Sequence, residues 1–201
     1  MDPVPLRRVV VLGFGAVGQC TVPLLIKDRG FLPSQISILE FEPNETRLGS
    51  LRGSGISYEN LRITLDNLDR ELSARLGPGD ILLNLAWNID ACTIIDWCHR
   101  AGVHYLDTSV EEWDPYHNVD SVDPRHRTLY SRHMKLRRMQ ASWTEPGPSS
   151  VVEHGANPGL VSHFAKQALS EIAGLMLNDG LGDRTAIENA LSCDNHAALC
   201  R

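Results

Sequence analysis

No stretch of this 201-residue chain approaches the ~20 consecutive apolar residues that a membrane-crossing helix needs, so no membrane partner is expected. The amino terminus, Met1-Asp2-Pro3-Val4-Pro5, lacks the layout of a secretory signal, because the apolar run after Arg7-Arg8 breaks at Gly13. Cysteine is scarce and badly spaced for a framework. Cys20, Cys92, Cys98, Cys193 and Cys200 are odd in number and form no C-x-x-C pair, which argues against disulfide scaffolds and zinc sites. Cys98-His99 does not supply a ligand pair, since neighbouring helical residues point about 100° apart; a buried cysteine beside an exposed histidine is expected. Positive charge is also short. The net charge of −6 argues against nonspecific nucleic-acid binding. A cytoplasmic chain with no metal site is the expectation.

What is present is an ordinary globular composition, 42% hydrophobic and 22% charged, enough for one large domain with a sizeable core. Its most informative segment is Gly13-Phe14-Gly15-Ala16-Val17-Gly18, a G-x-G-x-x-G placed after the apolar run Val9–Leu12 and before a helical stretch reaching about Lys27. Gly13 suits a tight turn, Gly15 suits close approach of the backbone to a pyrophosphate, and Gly18 suits close packing of helix on sheet. The amides of Ala16 and Val17 and the positive helix end then face the phosphates. The next strand reads Ile36–Glu40, and Glu40 stands 22 residues beyond Gly18. A carboxylate there accepts from ribose hydroxyls and repels a 2′-phosphate, which favours NAD over NADP. Glu42 competes for this role if the strand runs longer, and Arg47 lies close enough to favour the phosphorylated cofactor.

Strand and helix signals continue to alternate, which predicts an α/β fold with a doubly wound, Rossmann-type parallel sheet. Leu61–Thr64 reads as a third strand, Leu68–Leu76 as a short helix, Ile81–Asn84 as a buried strand, Asp90–Ala101 as a helix and Val103–Leu106 as a further strand. Ligands of such sheets sit beyond the carboxyl ends of the strands, so Asn84, Leu85, Asp107 and Thr108 are expected at the cofactor edge. Residues 109–149 interrupt the alternation. Within them a basic helical segment runs from Arg125 to about Met139, expected to be a solvated face and not a nucleic-acid patch. Val151-Val152 reads as a strand re-entering the sheet, and Val161–Leu177 as a helix. The expected dinucleotide-binding domain covers residues 1–177, with a weakly patterned tail over 178–201.

Two further motifs carry chemistry: Asp107-Thr108-Ser109-Val110-Glu111-Glu112-Trp113, and Gly155-Ala156-Asn157-Pro158-Gly159-Leu160-Val161-Ser162. Together with the glycine turn and Asn84-Leu85, and in the same order, they resemble bacterial-type homospermidine synthases, relatives of the saccharopine dehydrogenases. The resemblance runs from about residue 8 to about Leu169. It implies a tightly held NAD that takes a hydride from putrescine to give an imine. A second putrescine then adds, ammonia leaves, and the returning hydride completes an aminobutyl transfer. It implies Glu111 as the group that anchors an ammonium and relays a proton, and Asn157 as the amide that positions substrate or nicotinamide; Trp113 fits either a wall of the substrate pocket or plain core. A homodimer is implied as well.

Departures accompany the likeness. Glu112 replaces an expected proline, Glu153-His154 stand where small or sulfur-bearing residues are usual, and His163 stands for an expected tryptophan. Family members are more than twice as long, and their downstream part completes the diamine pocket. The resemblance therefore implies half a site, in a truncated gene product or a cofactor module with the second, substrate domain largely absent. The competing expectations are a saccharopine-reductase-like oxidoreductase acting on an amino-acid imine, and a catalytically inactive dinucleotide-binding remnant.

Overall fold

The protein was analysed as a computed structural model, which describes residues 8–117, 119–156 and 159–199. Six strands make one sheet: β1 (Val9–Leu12), β2 (Ile36–Glu40), β3 (Ser57–Asn60), β4 (Ile81–Asn84), β5 (His104–Asp107) and β6 (Ser150–Val151). Their order is β3-β2-β1-β4-β5-β6 and every pairing is parallel. The order reverses direction between β1 and β4, so the crevice beyond the strand ends opens there. Register brings the ends level, with Leu12 beside both Leu39 and Asn84, and Asn84 beside Asp107.

The period of two in the strands fills both faces. Val9 and Val11 pack with Ile36, Ile38 and Val22 on one side, while Val10 and Leu12 pack with Leu82, Ile94 and Tyr105 on the other. Connecting helices are α1 (Ala16–Arg29), α2 (Leu68–Ser73), α3 (Ala91–Ala101) and α4 (Leu129–Ala141). α3 has firm ends. Asp90 accepts from the Thr93 amide at 2.7 Å, and Gly102 closes the helix in the left-handed conformation.

Two expectations are corrected in this part of the chain. The third strand lies at Ser57–Asn60, four residues before Leu61–Thr64. Asn60 Nδ2 donates to the carbonyls of Glu40 and Phe41 at 2.9 and 3.0 Å, ending the ladder there, while Ile63 fills the core from a loop. The basic segment is not simply a solvated face. Arg132 donates to the Val110 carbonyl at 2.8 Å, His133 lies 2.7 Å from Glu153, and Lys135 lies 3.0 Å from Asp90. Arg125, Arg127, Arg137 and Arg138 keep the exposed face that the sequence predicts, while Arg132 and the exposed Lys135 reach a carbonyl after β5 and the acid that starts α3.

The chain divides into two units, Met1–Glu153 and His154–Arg201. The second contains α5 (Leu160–Asn178), α6 (Arg184–Ser192) and α7 (His196–Leu199). The stretch after Asn178 thus holds two helices where little pattern was expected. Asp183 starts α6 by accepting from the Ala186 amide at 3.1 Å, a cap that a weak apolar period does not reveal.

Candidate dinucleotide site at the strand ends

The three glycines of the turn do different things. Gly13 has φ +85°, and a Cβ there would lie 2.9 Å from the Ala86 backbone, so β1 can pass the β4 loop only without a side chain. A Cβ at Gly18 would lie 2.8 Å from the Gly13 carbonyl oxygen, which is where α1 crosses the turn. Gly15 meets nothing within 4 Å. Open space faces it, and no side chain caps the start of α1. Ala16 and Val17 are exposed beside it. Uncapped amides at a helix start, fronted by room, fit a pyrophosphate.

Glu40 is buried at the end of β2, and both carboxylate oxygens are engaged. Oε2 accepts from the Phe14 amide at 2.5 Å and Oε1 from the Glu42 amide at 3.1 Å. The carboxylate therefore sits against the glycine turn. Glu42, the competing candidate, is instead turned to Arg47 in an exposed ion pair at 3.4 Å, which occupies both groups. Beside the turn lies a cavity of about 220 Å³, lined by Leu12, Gly13, Phe41, Arg62, Trp87 and Ile89 among others. The Arg62 guanidinium lies 5.7 Å from the centre of the Phe41 ring. Sequence reading did not single out Arg62, Trp87 or Ile89 for the site. Their signal was positional, since each follows the carboxyl end of a strand.

The other residues expected at the cofactor edge are built inward. Asn84 Nδ2 donates to the Tyr105 hydroxyl at 3.0 Å, which donates to Asp107 Oδ2 at 2.8 Å. Asp107 Oδ1 accepts from the Glu153 amide at 2.6 Å. Asn84 and Asp107 are both buried. Burial, followed by the nearby charges of Glu153 and Glu111, pushes the Asp107 carboxyl up to about 6 against the pull of its two hydrogen bonds. These side chains brace β4, β5 and β6. Leu85 donates its amide to the Leu12 carbonyl at 2.8 Å, closing the edge beside Gly13. Thr108 is half-buried at the same end.

Glu111 is half-buried. Its Oε1 accepts from the Ser109 hydroxyl at 2.7 Å, and its carbonyl accepts from the Ala91 amide at 3.0 Å, so the carboxylate is oriented from its own loop and tied to α3. Glu112 points elsewhere, 3.4 Å from Arg132. Trp113 packs against the core, and its indole N–H is buried without a partner among the described residues. Asn157 and Pro158 lie outside the described residues. His154 and His163 meet edge to face at 5.4 Å. Cys98 is buried, its thiol pushed up to about 12, while the half-buried His99 stacks on Trp143 at 3.8 Å. Among the described residues no helix is long and apolar enough to cross a membrane, and no cluster of His, Cys, Asp or Glu could hold a metal.

Comparison with known proteins agrees with this geometry. Residues 9–151 match the model of the saccharopine dehydrogenase NADP binding domain. The chain is 32% identical over 169 residues to a homospermidine synthase of Mesorhizobium japonicum, covering 82% of this chain and 34% of the relative. It is 31% identical over 170 residues to a homospermidine synthase of Blastochloris viridis, covering 82% and 35%. The crystal structure of the homospermidine synthase of Legionella pneumophila in complex with NAD superposes with a TM-score of 0.72 at 30% identity, over 88% of this chain and 35% of that one. The chain thus spans about a third of the length of each of these relatives.

Proposed function

Since this chain belongs to the saccharopine dehydrogenase NADP binding domain family, we propose that it binds NAD at the crevice between β1 and β4 and carries the cofactor half of a homospermidine-synthase-type reaction. The observation that carries the choice of NAD is the Glu40 carboxylate, held against the Phe14 amide beside the cavity. In that place it accepts from ribose hydroxyls, and a 2′-phosphate would bring a second negative charge against a buried one. Gly15 and the start of α1 would hold the pyrophosphate, and Phe41 and Arg62 beside the cavity would hold the adenosine.

Bound NAD supplies reversible hydride transfer. The protein's own share of the chemistry falls to the loop after β5. Glu111, oriented by the Ser109 hydroxyl, pairs with an ammonium of putrescine and carries the proton that an imine-forming step releases. Trp113 forms an apolar wall that keeps water away, and Asn157 orients substrate or nicotinamide through its amide. The aminobutyl transfer itself is the reaction named for relatives three times as long. A second reading is an NAD-binding module without turnover of its own.

Titration of NAD and NADP into the purified chain, read as the unfolding midpoint, tests the first step, because a ligand that binds only the native state raises it. NAD is expected to raise the midpoint well above NADP at equal concentration. No rise with NAD, or an equal rise with NADP, would end the cofactor assignment. Incubation with NAD and putrescine, followed by mass spectrometry for homospermidine, then separates an active enzyme from a binding module.

A further inference from the structure

The crevice carries a large aromatic side chain that the hydrophobic core does not use. Trp87, in the loop after β4, is 63% exposed, against 3% for Trp97. A single exposed aromatic is ordinary on a protein surface. This one sits on a backbone fixed from both sides. Before it, the Leu85 amide donates to the Leu12 carbonyl at 2.8 Å and the Ala86 amide to Asn84 Oδ1 at 3.3 Å. The Ala86 backbone also lies against Gly13, so close that a Cβ there would stand 2.9 Å away. After it, Asn88 adopts φ +57° and Ile89 is buried. Residues other than glycine hold that left-handed conformation where the surrounding structure imposes it. The indole is thus presented to the cavity as a fixed wall.

Strand order sets what stands opposite. β2 and β3 lie to one side of β1 and β4 to the other, so Phe41 and Arg62 line the cavity from one side of Gly13 and Trp87 from the other. Indole, phenyl and guanidinium groups share one property, a flat face on which a nucleobase stacks. We propose that Trp87 is the second jaw of an adenine clamp, opposite Phe41 and Arg62, and that the chain grips its dinucleotide chiefly by the adenine end. The ends of β4 and β5 offer no comparable grip, because Asn84, Tyr105 and Asp107 are bonded to one another there. Stacking reads the face of a base and not the ribose, so Trp87 supplies affinity while Glu40 chooses between NAD and NADP. The inference rests on the cofactor reading and widens its ligand class to adenosine diphosphates that lack nicotinamide.

Calorimetry with NAD, ADP-ribose and nicotinamide mononucleotide tests the clamp, on the 201-residue chain and on Trp87→Ala and Trp87→Phe. ADP-ribose is expected to bind as tightly as NAD, and nicotinamide mononucleotide far more weakly. Trp87→Ala should lose about tenfold or more in affinity for both NAD and ADP-ribose, the scale set by one base-stacking face. Trp87→Phe should recover most of that loss. Because the side chain is exposed, both variants should unfold at the wild-type midpoint without ligand. Tryptophan emission supplies a second readout. ADP-ribose should quench it in the wild type and not in Trp87→Phe, since Trp97, Trp113 and Trp143 do not line the cavity. Wild-type affinity for NAD in Trp87→Ala would overturn the clamp and leave the cofactor reading standing. Nicotinamide mononucleotide binding as tightly as ADP-ribose would do the same. No binding of NAD by the wild-type chain would overturn both.

Discussion

The amide of Phe14 donates to the carboxylate of Glu40 at 2.5 Å, so the glycine turn after β1 and the end of β2 behave as one unit. The carboxylate proposed to meet the ribose is thus held by the same turn proposed to meet the phosphates.

Glu40→Ala should therefore weaken two things together. It leaves the buried Phe14 amide without an acceptor, at a cost of about 1–3 kcal/mol of stability. It also removes the ribose acceptor, so the NAD-induced rise of the unfolding midpoint should shrink. Denaturant unfolding with and without NAD measures both. Full stability in Glu40→Ala would show that the amide finds another partner.

Gly13→Ala and Gly15→Ala should separate fold from binding. At Gly13 a methyl group meets the Ala86 backbone at 2.9 Å with φ at +85°, so a loss of about 1–3 kcal/mol is expected. At Gly15 φ is −71° and nothing lies within 4 Å, so stability should be unchanged. The methyl there occupies the space assigned to the pyrophosphate, and NAD affinity should fall at least tenfold by calorimetry. Unchanged affinity in Gly15→Ala would move the phosphates elsewhere.

The buried Asp107 gives a pH signature of definite sign. Its carboxyl titrates near 6 in the folded protein against 3.8 for the ordinary group, so the native state holds the proton more tightly. Its contribution to stability is full below about pH 4 and is lost as pH rises through about 6, to a total on the order of 3 kcal/mol. Asp107→Asn should flatten the pH dependence of stability between those limits. Urea unfolding at a series of pH values, wild type against variant, measures the difference. Parallel curves would show that Asp107 is ionised throughout.

Asp90 and Lys135 are 3.0 Å apart, yet their substitutions should be unequal. Asp90→Ala removes the cap of α3 and leaves Lys135 unpaired, at about 1–2 kcal/mol. Lys135 is about half exposed, so Lys135→Ala should cost under ~1 kcal/mol. Thermal unfolding of the two variants checks the ranking.

Much of the fold was legible because its signals are local. A run of β-branched residues at Val9–Leu12, a turn needing positive φ at Gly13 and a cap at Asp90 each act within a few residues. Where sequence reading slipped, the deciding partner was distant. Leu61–Thr64 has the apolar content of a strand, but Asn60 bonding to Glu40 and Phe41 ends the ladder before it. The contacts of His133 with Glu153 and of Lys135 with Asp90 were not legible, because the two acids lie 20 and 45 residues away.

The sequence by itself determined the parallel α/β fold, the glycine turn and the acidic residue at the end of β2, since each depends on period and spacing along the chain. Only the tertiary structure shows that Glu40, and not Glu42, reaches the Phe14 amide, because that contact joins the ends of two strands. It alone turned Asp107 inward as well. Tyr105 shares its face of β5, and strand register sets Asn84 beside it, so the three side chains satisfy one another in the interior. Pairing across strands is settled by register and burial, and neither is written in the spacing of a single segment.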